Sequence, residues 1–184
     1  MKKALLIASV LFIAVISTAC INNIAVQELN NKAAEYMQKG DYEAAMNRLQ
    51  ACIDLDSTMY ETYYNLGIAA TNAKKYDVAI NAFENGIKIK SDYANFYYSL
   101  AIAQSEYSES ILEPEDKETK ATEEDIIKAK ELKESAIANA TKYLELAPNA
   151  EDKDDVEAFI EDLNKVDEEE NKGANNEQPV LLKG

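Results

Sequence analysis

Apolar residues recur along this chain at helical spacing, and the stripes then recur as a block. In GDYEAAMNRLQACIDLDS (40–57), Tyr42, Ala45, Leu49 and Ile53 follow steps of three and four, the period of a helix with one buried face. KKYDVAINAFENGIKIKS (74–91) repeats the stripe at Tyr76, Ala79, Phe83 and Ile87, each 34 positions on. The segments ahead of them, LNNKAAEYMQK (29–39) and YYNLGIAATNA (63–73), make a second matching pair. Two stripes per period of 34 predict paired helices. One such pair cannot bury its apolar face alone, so neighbours must pile onto one another.

A third copy is interrupted. Its first helix reads ANFYYSLAIAQSEYSESIL (94–112) and its second ends in SAIANATKYLELAPN (135–149), with 23 extra residues between the halves. The apolar period continues through Tyr107 and Ile111, which lengthens the first helix. Pro114 disfavours helix before it, so Glu113–Ala121 reads as a loop. Thr122 followed by Asp125 has the form of a capping box and starts a long helix running to about Leu146. The insert is therefore expected as an extended acidic helical hairpin rather than a floppy loop. Beyond Pro148, the residues Val156, Phe159, Ile160 and Leu163 share one helical face, behind a first turn rich in Asp and Glu that suits the helix dipole. From Asp167 the polar run DEEENKGANNEQPVLLKG reads as a disordered acidic tail.

The repeat resembles the tetratricopeptide repeat (TPR), a pair of antiparallel helices. Tyr63, Leu66, Gly67, Tyr76, Ala79, Phe83 and Gly86 fall on its pattern in the second copy; Leu29, Ala33, Tyr36, Tyr42, Ala45, Leu49 and Cys52 do so in the first. Tyr97, Leu100, Ala101, Ala136, Ala140, Tyr143 and Pro148 serve the third. The resemblance implies an all-α fold: a TPR-type right-handed superhelix of about three helix hairpins plus a C-terminal capping helix. The expected boundaries are repeats at 26–59, 60–93 and 94–148 (insert about 108–130), a capping helix at 149–166 and the tail at 167–184.

The chain opens MKKALLIASVLFIAVISTAC: two lysines, an apolar run from Ala4 to Ile16, small residues, then Cys20. This is a secretory leader layout. Its end resembles a bacterial lipobox, although Ser17 stands where Leu, Val or Ile is usual. The resemblance implies a signal peptide over 1–19 and Cys20 as the first mature residue, carrying palmitate-type acyl chains. Two or more chains give stable membrane attachment. The alternative is an uncleaved membrane helix, but residues 4–19 at 1.5 Å each span about 24 Å, short of a hydrocarbon core of about 30 Å. Either way the rest of the chain is expected outside the cytoplasm, in the cell envelope. Only residues 20–25 separate the lipid from the first repeat.

Composition narrows the chemistry. Thirty-four acids against 19 bases leave a net charge of −15, which argues against nucleic acid as a partner. There is no histidine, so Ser-His-Asp triads, Cys-His pairs and His-ligated zinc are excluded. No phosphate-binding Gly loop appears among five glycines. The expectation is no enzyme and no cofactor. Glu151–Asp155 lacks the alternating acids and glycine of an EF-hand, and reads as a solvated helix start. Cys52 occupies a small buried pattern position and reads as a core thiol. The charge is uneven: residues 21–104 carry a net −3, 105–125 a net −7, and 150–171 a net −9. Such a field is expected to favour basic partners or to exclude anionic ones.

In the TPR family, first-helix side chains line the binding face. The resemblance assigns that role to Asn30 and Asn31 in the first copy, Tyr64, Asn65 and Ile68 in the second, and Tyr98, Ser99 and Ile102 in the third. Asn can pair with both groups of an extended backbone, and Tyr offers a rigid apolar face with a polar tip. The Lys and Arg that clamp a C-terminal carboxylate in some TPR domains are not at these positions. The expected function is a membrane-anchored envelope scaffold that binds other proteins or peptides. Tyr64 and Tyr98 as packing residues are the competing reading of the face. A self-assembling homo-oligomer, or a carboxylate-based subunit of an envelope enzyme complex, are the competing functions.

Overall fold

The computed structural model describes residues 24–114 and 120–174, the last nine by backbone alone. The leader, Cys20, the centre of the insert loop and residues 175–184 lie outside them. Helix α1 covers residues 24–38. It is followed by α2 (Tyr42–Leu55), α3 (Tyr60–Asn72), α4 (Tyr76–Ile89), α5 (Ala94–Leu112), α6 (Glu123–Leu146) and α7 (Lys153–Ala174). The described residues hold no strand. They fall into two compact units, one ending at Asp92 and one beginning at Tyr93.

In the first unit, the period of 34 appears in the backbone itself. The α1–α2 turn places Gly40 at φ 73°, and the α3–α4 turn places Lys74 at φ 56°, 34 positions later. Each turn is closed by the same bond one residue on: Asp41 N–H to Tyr36 O at 2.9 Å, and Lys75 N–H to Ala70 O at 2.8 Å. These satisfy carbonyls that a helix end leaves open. The left-handed residue suits glycine at the first turn and strains lysine at the second. The second helices end alike, Asp56 N–H on Cys52 O and Lys90 N–H on Gly86 O.

Ala33, Ala45, Leu49, Leu66, Ala69 and Ala82 form the core of this unit. Alanines bring the helix backbones close, and each fully buried leucine contributes roughly 1.5–3 kcal/mol. Gly67 is required by contact: a Cβ there would overlap the ring of Phe83, itself fully buried. Cys52 is buried, its Sγ donating to Val26 O at 3.6 Å, and burial pushes its thiol pKa up.

In the second unit the interrupted copy is a long hairpin. Buried residues on α6 run Ala129, Lys133, Ala136, Ala140 and Tyr143, alternating steps of four and three. On α5 they include Leu100, Ala101, Gln104, Ser105 and Ser108. The two helices are tied far out along the insert: Ser108 Oγ donates to Ala129 O at 2.9 Å, and Lys128 Nζ to the Tyr107 hydroxyl at 2.6 Å. Nearer the base, Asn139 Nδ2 donates to Gln104 Oε1 at 2.9 Å. Helix α6 begins in the expected capping box, with the Thr122 and Asp125 side chains each bonding the other's backbone N–H.

Two boundaries differ from the sequence reading. The last helix starts at Lys153 rather than 149, because Pro148 and Asn149 form a turn whose first helical bond is Val156 N–H to Asp152 O. It also continues past Val166 to Ala174, into the stretch expected as tail. Extending an existing helix avoids the cost of nucleation, and Glu and Lys are good helix formers without any apolar stripe to announce them.

Candidate functional site

Helices α1 and α3 carry the first-unit candidates. Asn31 is exposed, while Asn30, Tyr64, Asn65 and Ile68 are half-buried. The Oδ1 of Asn30 is buried without a hydrogen-bond donor, a costly state for a carbonyl oxygen. Tyr64 lies 6.0 Å from Phe83, ring centroid to centroid, at a tilt of 55°. One side of its ring thus belongs to the core. At the end of α3, the side chain of Asn72 donates to Ile68 O at 2.8 Å and is engaged with its own helix.

In the second unit the candidates are Tyr98, Ser99 and Ile102 on α5, all half-buried. Tyr98 lies between Tyr143 of α6 at 5.2 Å and Phe159 of α7 at 6.2 Å. Burial, and then the negative charges of Asp152 and Asp155, push its pKa up. The Tyr143 hydroxyl donates to Asp152 Oδ1 at 2.6 Å, and that bond, with burial, pushes its pKa up to about 12. Asp152, from the acidic run 151–155, is thus spent on a tyrosine. Tyr98 is part of the core around Ala101, Ala136, Ala140 and Val156. Its contacts are those of a packing residue.

A feature not singled out in the sequence is a cleft of about 780 Å³ in the second unit, between α5, α6 and Leu163 of α7. Ser105, Ser108, Leu112, Ile126 and Lys133 line it, with Glu109 and Glu113. One signal was present in the sequence. Lys133 sits in the stripe 129–133–136–140, so a cation had to lie on the buried face of α6. It is 6% exposed and already engaged. Among the described residues no group of His, Cys, Asp and Glu is placed to hold a metal ion. No described helix is long and apolar enough to cross a membrane.

Comparison with known proteins places this architecture. A TPR repeat family model matches residues 33–70, and a tetratricopeptide repeat model matches 60–93. No curated protein matches the sequence. Among solved structures, the chain is similar to the type III secretion translocator chaperone SycD of Yersinia enterocolitica. The identity is 19% and the TM-score 0.61, covering 78% of this chain and 86% of that one. It is similar to the first TPR domain of human RPAP3, with 19% identity, a TM-score of 0.60, and 78% and 95% covered. The TPR2B domain of yeast Sti1, solved in a complex with pHsp70, aligns at 18% identity and a TM-score of 0.56, covering 77% and 98%. At such identities the likeness is one of fold. The two family models together cover residues 33–93, where the period of 34 runs through both sequence and backbone, so this stretch is built of tetratricopeptide repeats.

Proposed function

We propose that this chain is a non-catalytic adaptor, tethered to a bacterial envelope membrane through lipid on Cys20, that captures peptide segments of other proteins on its first-helix faces. The observation that carries the reading is the polar face of α1 and α3. Asn31 on α1 is open to solvent, and Asn65 and Ile68 on α3 are half-buried at first-helix positions of the repeat pattern. Asn31 and Asn65 can each bond both groups of an extended backbone. Ile68 adds apolar contact. Two similar structures were solved with peptides: the first TPR of RPAP3 with an HSP90 peptide, and SycD with a peptide of the translocator YopD. The leader MKKALLIASVLFIAVISTAC supports the tether. Anchoring would raise the local concentration of whatever the face captures.

The test is photocrosslinking in cells, with the reactive group at residue 31 or 65 and, as comparison, at exposed Glu84 on the second-helix side. Discrete adducts from 31 and 65 and none from 84 support the face. Equal labelling from all three contradicts it. For the tether, Cys20→Ser moves the protein from the membrane fraction to the soluble one; a variant that stays with membranes overturns the lipid anchor while leaving the face intact.

A further inference from the structure

The cleft in the second unit is separate from the first-helix residues just described, and its chemistry is different. One wall is apolar, made by Leu112, Leu163 and Ile126. Ile126 is 50% exposed and its neighbour Ile127 55%, so the start of α6 presents two large apolar side chains to water. The rim carries Glu109 and Glu113, both exposed. The cation on the lining, Lys133, is buried and engaged, and Lys128 nearby is committed to Tyr107, its Nζ 4.4 Å from the ring centroid. What a visitor meets is therefore apolar surface edged by two exposed carboxylates, of which Glu109 accepts from Ser105 Oγ at 3.5 Å.

We propose that this cleft docks a basic segment of a partner protein, anchored by one or two leucine-sized side chains and flanked by Lys or Arg. Apolar anchors would remove Ile126 and Leu112 from water, and the flanking cations would meet Glu109 and Glu113. A volume of about 780 Å³ accommodates a few side chains rather than a folded surface. An acidic or purely polar segment lacks one half of the match. The carboxylates set the on-rate and partner choice; the apolar wall sets the residence time.

The experiment is fluorescence anisotropy of the full-length protein with a labelled decapeptide of alternating leucine and lysine pairs. A lysine-only peptide and a leucine–glutamate peptide serve as comparisons. The leucine–lysine peptide is expected to bind at least ten-fold more tightly than either. Ile126→Ser, at a half-exposed site that does not hold the fold, is expected to weaken it about five-fold. Glu109→Gln with Glu113→Gln is expected to weaken it at low salt and to matter little at high salt. Equal binding of the lysine-only peptide reduces the effect to bulk charge and overturns the proposal. So does an Ile126→Ser variant that keeps a wild-type helical spectrum and unchanged affinity. A several-fold gain in affinity on deleting residues 175–184, which contain Val180, Leu181, Leu182 and Lys183, makes the chain's own end the occupant and overturns the partner assignment.

Discussion

The two units use one scheme of paired helices and arrive at different surfaces. The first is regular: α2, α3 and α4 have 14, 13 and 14 residues, and their turns repeat at a spacing of 34. Residues 24–92 carry ten acids against seven bases, a net of −3. The second stretches the scheme: α5 has 19 residues, α6 has 24, and residues 93–174 carry 23 acids against nine bases, a net of −14. At 1.5 Å per residue α6 is about 36 Å long. A fixed period leaves each helix just long enough to cover its neighbour. Lengthening one hairpin opens a cleft along it and gives the charge somewhere to sit. The cores differ as well, alanine and leucine with the Gly67–Phe83 contact in the first, and the Tyr98–Tyr143–Phe159 cluster in the second.

The sharpest way to break the regular unit is Gly67→Val, which drives two methyl groups into Phe83. It is expected to cost about 3 kcal/mol or more, read as a shift of the urea midpoint. Its counterpart in the second unit is Tyr143→Phe, which leaves the ring and removes the bond to Asp152. The expected cost is about 1.5–2 kcal/mol, because the acceptor is charged. The pH dependence carries a sign. The folded value of about 12 lies above the ordinary value of 10.0, so this contribution is whole below pH 10 and is lost as pH rises through about 12. Absorbance titration of tyrosinate should show the hydroxyl that ionises near pH 12 in the wild type missing from the variant.

A smaller effect separates the designs of the helix starts. Thr122→Ala removes the cap of α6 and is expected to cost about 1 kcal/mol in a thermal melt. The Thr122 hydroxyl and backbone N–H hold the Asp125 pKa below its ordinary 3.8. The stabilisation is therefore present above that value and fades as pH falls through the lowered one. In Thr122→Ala the acid-side slope should flatten. The smallest pair compares equivalent turns: Gly40→Ala, at φ 73°, is expected to lose about 1 kcal/mol, while Lys74→Gly, at φ 56°, gains about half that. A stabilising Gly40→Ala would mean that the left-handed turn is not what closes the repeat.

The sequence exposed what is periodic or local. Tyr42 with Tyr76 and Ala45 with Ala79 marked the 34-residue register, Thr122 with Asp125 marked the start of α6, and Tyr107 and Ile111 marked the longer α5. It did not expose contacts between residues far apart in the chain. Nothing near Tyr98 announces that Phe159 will close over it, and nothing near Ser108 announces Ala129 as its acceptor. The cleft was hidden for the same reason, since α5, α6 and Leu163 of α7 each supply a part. The extension of α7 to Ala174 escaped because residues 167–174 carry no apolar stripe to read.

The interruption in the third repeat is a packed hairpin, its two helices tied by the Ser108–Ala129 and Tyr107–Lys128 contacts. Amide hydrogen exchange followed by mass spectrometry tests it directly, comparing peptides covering 105–112 and 126–134 with one covering 63–72 of α3. Protection of the hairpin peptides on the same timescale as α3 is the predicted result. Exchange of both at the rate of unstructured chain would contradict the hairpin and remove the cleft with it.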